Sequence, residues 1–399
     1  MDTESLLAQA EQLQPELVKH RRHLHTIPEF GLELPQTLAY VTEAVRDLGE
    51  LTVAPEISSA VLHIKGAKPG PTVLLRADMD ALAVTEDTGL AFASTNGFMH
   101  ACGHDLHMAM GIGAAKLLHA NKSEISGEVV VFFQSGEEGH GGADLMLERN
   151  MHLVSGSMPI AAYGLHVFSA ADSRNFASRP GPMMASAGDV IVTFTGKGGH
   201  GSMPWGGKDP ITPMTQAIAA IQQLTTKSFD AFDQVIVNVG WVRAGDTHTT
   251  NIVPETASFG ATIRTFSREH FTRIRIELEN LMRSIATGFG VEVSVEFSPA
   301  SKVVINTPAN VDRVKTVVAK AFGDQRYEHM DQPITGGEDY ASILEVIPGA
   351  FVFLGAPDPT ANPQDLHANH SNKAVYDDSV LADGAALLAL LAFDALNNA

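Results

Sequence analysis

Eight residues, His100-Ala101-Cys102-Gly103-His104-Asp105-Leu106-His107, hold the chain's only cysteine, three histidines and an aspartate. A helical run follows from about Leu106 to His119, so the cluster reads as a loop ending at a helix start. Asp105 then lies in the first turn, where the helix dipole favours a carboxylate. Thiolate with imidazole is a ligand set for a borderline transition metal: zinc, cobalt, nickel or manganese, with the sulfur arguing least for manganese. Cys-x-His alone is not specific. It is equally read as a buried free cysteine among hydrogen-bonded histidines, as a Cys/His nucleophile pair, or as half of a metal site. The rest of the chain has to choose.

Five other places add candidates. Asp78-Met79-Asp80 closes an apolar run, and two alternate acids on extended chain point to one side. Ser135-Gly136-Glu137-Glu138-Gly139 closes another, and adjacent like charges repel unless a cation or a proton lies between them. His166 sits near the end of a third, Ile160–Val167. His370 lies in the polar stretch His367–Ser371. Cys102, His104, Glu138, His166 and His370 together offer sulfur, imidazole and carboxylate from separate elements, enough for a pair of first-row divalent ions to share with water. Glu137 would then stand beside the metal without ligating it, free to act as general base, as metal-assisted hydrolysis requires. Thr335-Gly336-Gly337-Glu338-Asp339 reads either as a tight turn or as a backbone N–H cradle for an anionic substrate group.

The elements that must position these residues read as two domains, as a length of 399 residues suggests. Helical spacing covers Ser5–Leu24 and Gln36–Leu48, broken between them at Pro28. His25 and Glu29, beside that break, read as a structural tie between helices. Strands at Ser59–Lys65 and Thr72–Ala77, separated by a Lys68–Pro71 turn, precede the cysteine cluster. Gly127–Gln134 is a continuous apolar strand of the kind buried on both faces, then a helix over Gly142–Met151. Alternating strands and helices imply an α/β domain, a mostly parallel sheet covered by helices. The pattern then changes to strand Asp189–Thr195, helix Asp209–Leu224, strands Gln234–Val242 and Thr256–Arg264, helix Ser267–Gly288 and strand Val291–Phe297. That β-α-β-β-α-β order is the ferredoxin-like unit. It predicts an inserted domain over 186–298 within a catalytic domain formed by 1–185 and 299–399. Ala309–Phe322, Ala350–Leu354 and Ser379–Leu396 complete the latter.

Twenty-seven basic against forty-six acidic residues leave a formal charge of −19, which argues against a nucleic-acid or anionic membrane partner. A lone cysteine suits a reducing compartment. Met1–Lys19 lacks a basic n-region and an apolar h-region, and no uninterrupted apolar run reaches membrane-span length, so a cytoplasmic location is expected.

The chain resembles the metal-dependent aminoacylase/carboxypeptidase family that includes hippurate hydrolases, indole-acetyl-amino-acid hydrolases and N-acetyl-diaminopimelate deacetylases. The likeness runs through Arg22–Glu29, Leu75–Leu82, His100–His107, Gln134–Glu138, Gly164-Leu165-His166, Gly196–His200, Asn251–Pro254, Thr262–Thr265, Gly336–Asp339 and Asn369-His370-Ser371. It implies two divalent metal ions per subunit (Zn, Mn, Co or Ni) held by Cys102, His104, Glu138, His166 and His370. It implies Glu137 as base and Asp80 as a supporting acid. It further implies a homodimer or larger assembly through the inserted domain, with His200 reaching the neighbouring subunit's site to polarise the scissile carbonyl. Asn251 and Arg264 would hold the substrate's end. Two departures are Ala83, where the family usually has proline, and Trp205, where it often has histidine. The expected activity is hydrolysis of N-acyl amino acids to a carboxylate and a free amino acid. A dipeptidase or carboxypeptidase on the same scaffold is the nearest rival, and a Cys102-nucleophile amidase or a non-catalytic metal-binding protein the more distant ones.

Overall fold

A computed structural model describes residues 2–398. These fall into two compact units. The first takes the chain up to Met183, Ile305–Gln332, and the chain from Asp339 onward; the second takes Met184–Val304 and Pro333–Glu338.

In the first unit an eight-stranded sheet runs, in spatial order, Glu50–Ala54, Ser59–Lys65, Ser126–Gln134, Lys68–Asp78, Ala161–Phe168, Gly349–Gly355, Phe176–Ser178 and Tyr327–His329. The central four are parallel, and Ser59–Lys65 joins Ser126–Gln134 antiparallel. Strand alternation gives this sheet two unlike faces. Val73, Leu75 and Ala77, with Val129, Val131 and Phe133, enter the main apolar core beneath helices Thr3–His25, His104–Ala120 and Leu381–Asn397. Their neighbours Arg76, Asp78 and Gln134 are polar and equally buried. Small residues let the helices close up: a Cβ on Gly113 would lie 2.8 Å from Ala385 Cβ, and one on Gly384 only 2.2 Å from the Met110 sulfur. The stretch Asp378–Asn397 is long and apolar enough to cross a membrane, but 83% of its most apolar window is buried inside the unit. It is a core helix.

Two details differ from the sequence expectation. Lys68–Pro71 is not a turn: the strand already begins at Lys68, with an irregularity before Thr72, and Ser126–Gln134 lies between the two strands that the turn was to join. The edge strand Glu50–Ala54 was not expected. It is five residues long and mostly exposed, so it carries little apolar signal.

The Pro28 break is held by the two residues beside it. Glu29 accepts from the Thr37 N–H at 2.9 Å, satisfying a donor at the start of helix Pro35–Val45. Buried His25 lies 2.8 Å from Asp105 and 3.2 Å from Glu86, while Arg21 Nε is 2.8 Å from the same Asp105 oxygen. Burial disfavours charge on His25, but Asp105 and Glu86 outweigh it and raise the pKa above 6.5. Desolvation opposes ionisation of Glu86, yet its bonds to His25 and Thr88 bring it down to about 2. Arg21, His100 and Phe92 face His25 from the other sides. A raised folded pKa stabilises fully below the unfolded value and loses that contribution as pH rises through the folded value. His25→Asn should therefore cost roughly 1–3 kcal/mol at acidic pH, with the gap to wild type narrowing as the pH rises. Urea titrations from about pH 5 to 8 measure this, and a constant gap would contradict it.

The second unit is a four-stranded antiparallel sheet in the order Val235–Ala244, Thr256–Thr265, Ser186–Thr195, Glu292–Phe297. Helices Ile211–Ser228 and Arg268–Phe289 pack on it around Val190, Val192, Phe194, Phe259, Ile274, Leu278 and Met282. Ser267 caps the second helix by accepting from His270 N–H, and Gly290 at φ 66° ends it, two residues past the expected Gly288. The connectivity is ferredoxin-like. The unit is wider than 186–298: it also takes 184–185, 299–304 and the extended segment Pro333–Glu338, where Ala185 N–H donates to Ile334 O at 3.0 Å.

Candidate metal centre

Three parallel strands of the first unit end on one side of the sheet, the place where open α/β sheets carry chemistry. Lys68–Asp78 leads into Asp80, Ser126–Gln134 leads into Glu137-Glu138, and Ala161–Phe168 carries His166. The fourth contribution is the cysteine loop. Gly103 stands at φ 84° between Cys102 and His104 and opens helix His104–Ala120; a Cβ there would lie 2.4 Å from Val167. Only glycine fits that turn. The fifth is His370, itself at φ 70°.

These segments converge. Cys102 Sγ is 3.4 Å from His166 Nε2 and 3.1 Å from His370 Nε2. Glu138 Oε1 is 3.4 Å from His370 Nε2 and 3.9 Å from His104 Nε2. Donor atoms of Cys102, His104 and His166 lie mutually within 4.8 Å, as do those of Cys102, Glu138 and His370. The five residues proposed from sequence as ligands thus meet at one place. Glu137 is beside them, its Oε2 3.9 Å from His104 Nε2. Asp80 accepts from the backbone N–H groups of both Glu137 and Glu138 at 3.0 Å, so one carboxylate fixes the paired glutamates.

The donor set fits a cation. Both ring nitrogens of His104 and Oε1 of Glu138 are buried and find no hydrogen-bond partner among the described residues, a costly arrangement unless something else binds them. His166 Nδ1 lies 2.8 Å from Val167 O, so it carries the proton and Nε2 keeps its lone pair toward Cys102. Burial, reinforced by His107, holds the His166 pKa well below the ordinary value, so the ring stays neutral. Burial works against charge on His104 too, but Asp78, Asp80 and Cys102 hold its pKa well above normal. The nearby Cys102 and Glu138 push His370 up to about 10. The acids and the sulfur around His104 and His370 mark the positive charge that this cluster attracts.

His107, in the same motif, does a different job. Its Nδ1 bonds Asp78, and its Nε2 accepts from the Val167 N–H at 2.9 Å, so neither nitrogen is left for a metal. Asp78 in turn pairs with Arg76. Arg76 also donates to Gln134 at 3.0 Å and Asp339 at 3.1 Å, and Asp339 accepts from Gln134 and from Ala143 N–H. Burial would raise the Asp78 pKa, but Arg76, His104 and His107 hold it well below the usual range. This buried network under the centre was missed from sequence. Its one visible signal is an arginine and a glutamine inside otherwise apolar strands.

The remaining candidates belong to the second unit: His200, Asn251, Arg264, Gly336 and Gly337. His200 and Ile252 face each other on a two-stranded ribbon, and His200, which is exposed, accepts from Ser202 N–H through Nδ1. Arg264 Nη1 is anchored on Thr262 Oγ1 at 2.6 Å. Gly337 packs against Ala187 and Ser301, where a Cβ would lie 2.4 Å from Ala187 Cβ, and Gly336 lies near Met184 and Ile334.

A mostly parallel α/β unit with a mixed sulfur, imidazole and carboxylate centre, together with a ferredoxin-like unit, defines a class of metal-dependent hydrolases. The chain belongs to peptidase family M20/M25/M40, whose model matches residues 74–394. It is 35% identical to thermostable carboxypeptidase 1 of Saccharolobus solfataricus, covering 98% of each chain. It is 33% identical to IAA-amino acid hydrolase ILR1-like 4 of Arabidopsis thaliana, over 94% of this chain and 84% of that one. Among solved structures, a dinuclear metal binding peptidase of the M20 family from Bacillus subtilis superposes with a TM-score of 0.81 at 28% identity, covering 98% of this chain and all of that one. The resemblance read from the sequence is thereby borne out.

Proposed function

We propose that the protein is an amidohydrolase that cleaves N-acyl amino acids into a carboxylate and a free amino acid, using two divalent ions per subunit. The observation that carries this reading is the meeting of Cys102, His104, Glu138, His166 and His370 with a second carboxylate, Glu137, alongside. A binding protein needs ligands but no base. Cations held by the five residues would acidify a water molecule and polarise the amide carbonyl. Glu137 takes the proton of the attacking water as its oxygen bonds the carbonyl carbon. It then returns that proton to the amine as the C–N bond breaks. Asp80 keeps Glu137 in reach through the peptide N–H it accepts.

His200 Nε2 donates to the carbonyl oxygen, delivered by a second copy of the chain, and Asn251 and Arg264 hold the substrate's end. Gly336 and Gly337 offer backbone N–H groups to the same anion. The assembly is a homodimer through the ferredoxin-like unit, working in the cytoplasm on a small-molecule substrate, with Zn, Mn, Co or Ni as the metal. The likeness to a carboxypeptidase supports a second reading, in which the acyl group is a peptide.

Treatment with a strong chelator should abolish hydrolysis of acetyl-, benzoyl- and indole-acetyl-amino acids, and a first-row divalent ion should restore it. Full activity in metal-free protein, lost on thiol alkylation, would instead make Cys102 the nucleophile. Preference for dipeptides over every acyl-amino acid would favour the second reading.

A further inference from the structure

We infer that Asn369 is the positioning residue that sets the geometry of the sulfur side of the centre. The inference rests on reading the cluster as a metal site. Asn369 touches three of the segments that bear candidate ligands. Its Nδ2 donates to Val167 O at 2.9 Å, on the strand that carries His166, and lies 3.4 Å from Cys102 O. The same nitrogen stands 3.9 Å from Cys102 Sγ, within reach of an N–H···S hydrogen bond. The third segment is its own: the next residue is His370.

The amide has no choice of orientation. Its Oδ1 accepts from the Ser169 N–H at 3.0 Å and lies 3.0 Å from the Ser169 hydroxyl. Flipped, it would turn an acceptor toward two carbonyls and a sulfur, and a donor toward an N–H. Both its nitrogen and its oxygen therefore have partners.

Two consequences follow for the ligands. Val167 O accepts from the His166 ring as well as from Asn369, so the carbonyl that fixes the His166 tautomer is itself held by Asn369. His370 occupies the left-handed region, unfavourable for a side chain larger than glycine or asparagine. Its N–H donates to Ala101 O at 2.8 Å, and the Asn369 bonds pin the preceding residue against the same loop. Strain at a ligand persists only where the surroundings over-determine it. Glu137 and Glu138 are held instead by Asp80, outside this clamp.

Asn369→Asp keeps the shape and the acceptor but removes the donors; Asn369→Ala removes both. Cobalt is the probe, because thiolate-to-cobalt charge-transfer absorption reports Cys102 ligation directly. Both variants should bind cobalt at least ~10-fold more weakly than wild type. The thiolate band should weaken further, while melting of the metal-free protein shifts by no more than about 3 °C. Cobalt affinity and band equal to wild type in both variants would overturn the inference. So would a loss of affinity fully matched by loss of folded metal-free protein. Wild-type protein that binds no cobalt would overturn the metal-centre reading instead.

Discussion

Glu137→Gln protein should bind metal as wild type does and lose about 10²–10⁴-fold in kcat. The substitution keeps the size of the side chain and the backbone N–H that Asp80 accepts, and removes only the ability to take a proton. Glu138→Gln should behave differently. Glu138 Oε1 faces both His370 and His104, so weakening it as a donor should lose metal as well as rate. Metal content by atomic absorption and steady-state kinetics separate the two. Normal turnover by Glu137→Gln would reverse the roles of the neighbours. The same variant tests His200. If His200 acts across a dimer, His200→Ala and Glu137→Gln proteins, each nearly inactive alone, should recover activity when refolded together. Mixed dimers carry one site with both defects and one with neither, so random pairing returns about a quarter of wild-type activity. Subunit exchange without recovery would remove His200 from the partner's site.

Arg76→Met should be the most damaging change away from the ligands. Arg76 is 2% exposed, and its guanidinium sits among Asp78, Gln134 and Asp339, with the Tyr340 ring 5.7 Å from its carbon. Methionine fills much of the volume but leaves Asp78 and Asp339 buried without the guanidinium charge. Removing one partner of a buried ion pair typically costs about 3–5 kcal/mol, because the other charge stays buried. That corresponds to a fall of roughly 5–15 °C in the unfolding temperature of the first unit. Calorimetry on the metal-free protein isolates this from any change in metal binding. A shift under about 2 °C would mean that the network contributes little to stability.

How much the sequence discloses follows from what kind of signal each residue leaves. Asp80, Glu138 and His166 stand at or just past the ends of continuous apolar strands. Strands buried on both faces in a parallel sheet are easy to recognise, and their ends are where such sheets place chemistry. The cysteine loop is legible because thiol and imidazole crowd together ahead of a helix. The network beneath the centre is not, since Arg76 and Asp339 are separated by 263 positions and nothing local links them. His107 is read only as part of the cluster, and its commitment to Asp78 and Val167 emerges from distances alone. Pro333–Glu338 is assigned by spacing to one domain and pairs with the other, because an extended six-residue segment has no periodicity to betray its partner. Asn369 is visible in the Asn369-His370-Ser371 motif, but its role depends on three segments meeting around one amide.

The division of the first unit into separated stretches has a consequence for how the protein is made. Helices Thr3–His25 and His104–Ala120 need Leu381–Asn397 to cover them, yet 260 residues, from Asn121 to Val380, separate the second helix from the third. At about 5–20 residues per second, a nascent chain exposes that apolar surface for on the order of 10–50 s. The ferredoxin-like unit is nearly contiguous and is synthesised within that interval, so it can be complete while its neighbour is still open. His370 comes from the same late stretch, so the centre gains its last donor only as the core closes. The five donors are therefore together only once that stretch has been made, and until then the helices keep apolar surface exposed.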